Sequence, residues 1–189
     1  MNHIGTKELK TERLVLRPFT VTDAEAMYRN WASDPDVTKY LTWPAHADAG
    51  ISRMVIESWV REYERDDYYQ WAIEFENQPI GSISVVNGND AVRKVEIGYC
   101  IGKKWWHRGI VSEALSALIR FFFEEVGANR IEAKHDANNP HSGGVMQKCG
   151  MKYEGMLRQA DRNNQGICDS CVYAILRSEY FGEGTEMGS

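Results

Sequence analysis

The stretch with the most chemistry in this chain runs from Val95-Glu96-Ile97-Gly98-Tyr99-Cys100-Ile101 to Gly109-Ile110-Val111-Ser112-Glu113-Ala114. It reads as a strand, a bend rich in Lys and Trp, and the glycine-marked start of a long apolar helix. The first amide N–H groups of a helix have no partner inside it, and the macrodipole adds partial positive charge, so such a start attracts anions. Gly109 lets a phosphate approach the backbone with no Cβ in the way. Lys103, Lys104, His107 and Arg108 add basic character beside it. The arrangement points to a pyrophosphate held at the end of a strand, and so to a phosphate-bearing cofactor. A lone glycine turn is equally an ordinary strand–loop–helix junction, and the rest of the chain has to decide.

The elements that would position these residues are those of one domain. A chain of 189 residues can bury a substantial core without disulfides. The formal charge of −5 gives no bulk attraction to nucleic acid or to an anionic membrane, and suits a cationic or amine substrate. Met1 to Glu8 has no apolar core, so no signal peptide is visible, and no apolar run approaches a membrane span. A cytoplasmic location is the expectation. Of the cysteines, Cys168 and Cys171 match C-x-x-C, but positions three apart in a strand face opposite ways, which argues against a shared metal or a disulfide. They, Cys100 and Cys149 read as buried thiols. His135 and His141 lack metal-ligand spacing to a second His or Cys, so no metal is expected.

Along the chain, Leu14 to Pro18 reads as a first strand. Thr22-Asp23-Ala24-Glu25 caps a helix carrying Ala26, Met27, Tyr28 and Trp31, which Asp34-Pro35-Asp36 ends, and a second helix spans about 46–64. Tyr69–Phe75 and Ile80–Val86 form a hairpin around a turn at Asn77-Gln78-Pro79, and Lys94–Ile101 follows as a strand. The strongest helix is 110–126, stopped by Gly127. Arg130–Ala137 is a strand, and Asn139-Pro140 opens a short helix ending at Gly150. Tyr153–Leu157 and Ile167–Leu176 are the last strands, and residues 182–189 read as a disordered tail.

In this order and spacing, the chain resembles the GNAT acetyltransferases. Within them it is similar to the branch of ribosomal-protein N-terminal acetyltransferases (RimJ/RimL-like). The residues that carry the resemblance are Thr11-Glu12-Arg13-Leu14-Val15-Leu16-Arg17-Pro18, Glu96-Ile97-Gly98-Tyr99, Gly109-Ile110-Val111-Ser112-Glu113-Ala114, Asn139-Pro140-His141-Ser142, Lys148-Cys149-Gly150-Met151, Glu154-Gly155, Asp169 and Tyr173-Ala174-Ile175-Leu176. The resemblance implies a single α/β domain over residues 1–181, with a mixed, mostly antiparallel sheet of about seven strands and helices on both faces.

It also implies acetyl-CoA as co-substrate, with Trp106, His107, Arg108, Gly109, Ile110, Val111 and Ser112 at the pyrophosphate, Tyr99, Cys100 and Ile101 along the pantetheine and thioester, and Asn139 and Ser142 facing it from the next helix. Of the family's Gln/Arg-x-x-Gly-x-Gly/Ala loop, only the central Gly109 is kept. Where many members carry a tyrosine acid seven residues after the Asn, this chain has Met146, which cannot donate a proton. Ser142 is the nearest hydroxyl. Acetyl transfer to an amine needs a neutral amine, a polarised carbonyl and a leaving thiolate. Glu96 is the first candidate base and Asp169 the second, and each could equally be structural. The expected function is N-acetylation of a primary amine by direct attack in a ternary complex, with a protein N-terminal α-amine as one acceptor. The alternatives are a small amine such as an antibiotic or polyamine, and a degenerate acyl-CoA-binding module. The expected partner is the amine acceptor, with neither nucleic acid nor membrane, and a homodimer is one expected assembly. Trp31, Tyr40 and Trp43 are candidates for lining an acceptor cleft.

Overall fold

The computed structural model describes residues 1–182, so nearly all of the expected tail lies outside the described residues. Short apolar alternations become strands. These are β1 (Leu9–Lys10), β2 (Leu14–Arg17), β3 (Gln70–Phe75), β4 (Gln78–Asn89), β5 (Lys94–Ile101), β6 (Arg130–Asp136), β7 (Lys152–Asn163) and β8 (Gly166–Leu176). They form one sheet in the order β1-β2-β3-β4-β5-β6-β8-β7. All neighbours are antiparallel except β5 and β6. The eighth strand, against about seven expected from the pattern, is the two-residue β1. The β3–β4 turn sits at Glu76-Asn77, both with positive φ, the geometry of a two-residue hairpin turn.

Helices cover both faces. On one side lie α1 (Ala24–Met27), which runs on as a wider turn through Tyr28–Ala32, α2 (Pro35–Thr38) and α3 (Ala49–Glu62). Phe19, Met27, Trp31 and Ile56 pack there against Ala72 of β3. On the other side α4 (Ile110–Phe121) lays Ala114, Leu115, Leu118 and Ile119 on Val95, Ile97 and Ile101 of β5. Its apolar stripe continues as expected to Val126, but the last turn, Phe122–Val126, widens to a π-helix before Gly127 in the left-handed conformation. α5 (Pro140–Lys148) packs beside it, and α6 (Arg177–Phe181) follows β8.

One interruption of the sheet matters most. The parallel ladder between β5 and β6 has three rungs, Lys94↔Arg130, Val95↔Ile131 and Glu96↔Glu132, and ends there. β5 continues to Ile101 on β4, while β6 continues to Asp136 on β8. Past Glu96 the two halves of the sheet part, and the start of α5 faces the gap.

Candidate active site

The free edge of β5 follows from its pairing with β4. Gly102 N–H donates to the Ile80 carbonyl at 2.9 Å, and residue pairs in this ladder run Gly81↔Ile101, Ser82↔Cys100 and Ile83↔Tyr99. Antiparallel strands alternate bonded and non-bonded pairs. The amides of Gly98, Cys100 and Gly102 therefore serve β4, and those of Tyr99 and Ile101 point into the gap. Cys100 turns its side chain to the α1–α3 side, with its sulfur 3.3 Å from Ser82 Oγ, and burial pushes the thiol pKa up.

Trp106 and its neighbours close the far end of β5. Trp105 is core, and the Trp106 indole N–H donates to the Ile101 carbonyl at 2.9 Å, folding the bend back on the strand. His107 and Gly109 both have positive φ, and Gly109 is the N-cap of α4. The first intrahelical bond runs from Glu113 N–H to the Gly109 carbonyl, so the amides of Ile110, Val111 and Ser112 have no helical acceptor. The exposed His107 ring meets the His141 ring of α5 edge-on, with centroids 5.2 Å apart.

The sequence reading missed what holds this loop. Glu113, in the first turn of α4, accepts from Thr11 Oγ1 at 2.5 Å, Arg13 N–H at 2.9 Å and Arg13 Nε at 2.7 Å. Arg13 Nη1 also donates to the Arg108 carbonyl at 3.1 Å. Burial alone would raise the Glu113 carboxyl, but these donors hold it below its ordinary range. Thr11 and Arg13 carried part of the family resemblance, but nothing local in the sequence links them to a helix a hundred residues away.

Across the gap, Asn139 is the N-cap of α5 and Pro140 its first residue, as expected. The Asn139 side chain caps nothing and remains available to a ligand. Ser142 Oγ donates to Tyr99 Oη at 3.1 Å, and Tyr99 Oη donates to the Ser142 carbonyl at 3.1 Å. Met146, one turn further, is 1% exposed and belongs to the core. Cys149 donates to the Ser112 carbonyl at 3.3 Å, tying α5 to α4.

Glu96 sits at the last rung, on the opposite face from Tyr99. It accepts from Lys134 Nζ at 3.0 Å. Burial would lower the Lys134 ammonium pKa, but the pairing with Glu96 leaves it raised. Asp169 stands apart from this group. Its Oδ1 accepts from the Gln159 N–H at 2.8 Å, at an irregularity of β7 where Gln159 has positive φ. Among the described residues, no three His, Cys, Asp or Glu gather as a metal site would need.

Of the aromatic residues near the first helices, Trp31 is fully buried core, while Trp43 is half-buried and packs on His46 at 5.2 Å. Tyr40 Oη donates to the Asn138 carbonyl at 3.0 Å. The tip of the β7–β8 hairpin grips the same loop, as Asn164 Nδ2 donates to the carbonyls of Thr38 at 2.8 Å and Trp43 at 2.7 Å. Asn163 Nδ2 donates to Asp136 at 2.6 Å. This latch was also missed, because both strands extend beyond the apolar runs that marked them.

The model of the acetyltransferase (GNAT) domain matches residues 13–152. The N-acetyltransferase YoaA of Bacillus subtilis is 31% identical over 89% of this chain and 96% of its own length. The ribosomal-protein-serine acetyltransferase of Escherichia coli is 30% identical over 72% of this chain and 76% of its own. Among solved structures, RimL, a ribosomal L7/L12 α-N-protein acetyltransferase in complex with coenzyme A, superposes with a TM-score of 0.80 over 90% of this chain and 98% of its own. At 20% identity, that likeness speaks for the fold alone. With a parted parallel strand pair, an open helix start beside it and this domain match over most of its length, the chain belongs to the GNAT family of N-acetyltransferases, in the RimJ/RimL-like branch.

Proposed function

We propose that this protein transfers an acetyl group from acetyl-CoA to a primary amine, a protein N-terminal α-amine being the acceptor, by direct attack in a ternary complex. The observation that carries the reading is the gap past Glu96. One wall of the gap offers the Tyr99 and Ile101 amides, its mouth is the open start of α4 at Gly109, and α5 brings Asn139 and Ser142 to the other wall. A pyrophosphate at Ile110–Ser112 would let the pantetheine arm run along β5, with the thioester carbonyl polarised by strand amides.

The cofactor supplies an activated acyl group. The protein's part is to orient it and to move two protons. Glu96, at the opposite face, accepts the proton of the attacking amine through water, with Lys134 holding its carboxylate in place. A site with such modest base equipment suits an α-amine. Its pKa is about 7.7–8.0 against about 10.4 for lysine, so freeing a lysine costs about 3 kcal/mol more at neutral pH. The Escherichia coli relative acts, by its name, on a ribosomal protein serine, which fits the same acceptor class.

The test is thiol release from acetyl-CoA against a panel of N-terminal peptides, lysine peptides, polyamines and aminoglycosides. Release driven by N-terminal peptides is the expected outcome. Release driven by a polyamine or aminoglycoside alone would replace the acceptor class. CoA binding with no release for any amine would make the chain a binding module.

A further inference from the structure

The acyl-transfer reading, on which this inference rests, leaves one proton without a donor. When the C–S bond breaks, the electron pair goes to sulfur, and the thiolate needs a hydrogen-bond donor or a proton. Met146 cannot supply it, because it is a thioether packed into the core. Ser142 lies one turn before Met146 on α5 and looks like the replacement by sequence. The direction of its hydrogen bond argues otherwise. The single hydroxyl proton of Ser142 is committed to Tyr99 Oη, at 3.1 Å. Tyr99 in turn spends its own proton on the Ser142 carbonyl, at 3.1 Å, across the gap. That second bond joins β5 to α5 beside the parted strands, so a thioester sulfur bound there would take the place of the carbonyl.

We infer that Tyr99 is a catalytic residue, the phenol that protonates the departing thiolate, with Ser142 as the positioning residue that donates to it from behind. The amine nitrogen bonds to the carbonyl carbon and loses a proton to Glu96 through water. The C–S pair moves to sulfur, and the Tyr99 O–H proton follows it to give free CoA. The phenolate keeps the Ser142 hydrogen bond and regains its proton from water.

Two further observations fit. A hydroxyl that accepts a hydrogen bond becomes a better donor, since bonds in a chain polarise one another. Burial raises the Tyr99 pKa and keeps the phenol protonated in the neutral range, while the hydrogen bond from Ser142 acts the other way and makes the phenol a stronger acid. The same role that many members of the family give to a helix tyrosine is thus delivered from strand β5, out of the gap where the sheet parts.

The experiment compares Tyr99→Phe, Ser142→Ala and the double variant in the thiol-release assay, with CoA affinity measured by calorimetry as the check on the fold. Tyr99→Phe is expected to lower kcat by about a hundredfold or more, within the range of a lost general acid, with CoA affinity kept. Ser142→Ala should lose less, and adding it to Tyr99→Phe should lose nothing further, because it acts only through the phenol. Full kcat in Tyr99→Phe would overturn the assignment. So would a larger loss in Ser142→Ala than in Tyr99→Phe, which would make the serine the donor, or additive losses, which would make the two independent. Wild-type protein that binds CoA and releases no thiol with any amine would instead end the acyl-transfer reading itself.

Discussion

At the scale of single residues, the site rests on positions where one atom decides the outcome. Gly109 is the clearest. Its φ of +72° is left-handed backbone that a residue with a Cβ adopts only with strain, and a Cβ there would lie in contact with Arg13 Nη2, at 3.7 Å. In Gly109→Asp, a carboxylate would occupy the phosphate space and capture the Arg13 guanidinium. CoA affinity measured by calorimetry should fall by about a hundredfold, the scale of a lost charge-assisted contact plus backbone strain. Unchanged affinity would move the pyrophosphate elsewhere. Glu96→Gln tests the other end of the reaction. An amide cannot take a proton, so turnover at neutral pH should fall by about tenfold or more, while CoA affinity holds. The loss should shrink as pH rises and more of the amine is neutral without help. Equal rates for both proteins from pH 6 to 9 would leave Glu96 as half of an ion pair with Lys134. Residue types were legible in the sequence here: the glycine, the acid, the serine and the methionine that replaces a tyrosine. Their partners were not. Lys134 meets Glu96, and Tyr99 meets Ser142, only because β5 and β6 separate after a particular rung, and no local pattern encodes a register.

At the scale of elements, periodicity carried most of the fold, since β2 to β6, α3 and α4 announce themselves by alternation or by an apolar stripe. The failures have physical causes. α1 closes as an α-helix after four residues and widens through Tyr28–Ala32, a change of pitch that apolar spacing does not reveal. The β7–β8 hairpin runs to Asn163 and Gly166 because Asn163, Asn164 and Asp136 bond its polar tip to the rest of the protein. Polar strand ends of this kind resemble loops. The seating of α5 can be tested directly. A Cβ on Gly143 would stand 2.7 Å from His135 Nε2 and 3.1 Å from Tyr173 Oη, so the helix lies flat on β6 and β8 only because that position has no side chain. Gly143→Val should cost about 2 kcal/mol through overpacking and lower the thermal midpoint by about 4–8 °C in calorimetry. An unchanged midpoint would mean that α5 can lift without penalty.

At the scale of the whole molecule, three buried carboxylates set the acid limit of the fold. Burial pushes Asp23, Glu132 and Asp136 upward, yet each ends below its ordinary range. Arg17 and the Thr20 amide hold Asp23, Lys94 and Arg130 hold Glu132, and Asn138 with Asn163 hold Asp136. A carboxylate whose folded pKa lies below its unfolded value of about 3.9–4.3 contributes stability that is complete above that value and lost as pH falls toward the folded pKa. The urea midpoint should therefore stay level from pH 7 to about 5 and drop steeply below about 4. Asp136→Asn should flatten part of that drop. A midpoint that declines evenly from neutrality would assign the acid sensitivity to surface charge instead.

The strand order at the C-terminal side of the sheet has a consequence for how this protein comes into being. β8, made after both of its neighbours, lies between β6 and β7. Until the ribosome has released it, β7 has no neighbour to pair with, β6 lacks its outer partner, and the Asn164 grip on the early loop at Thr38–Trp43 has no rigid arm behind it. Assembly of this side of the sheet thus waits for β8: before it emerges, β1 to β6 can pair through the β5–β6 rungs, but β7 stands alone. A chain released after residue 165 should accordingly be insoluble or rapidly degraded. Co-expression of a separate peptide covering 166–182 should restore soluble protein.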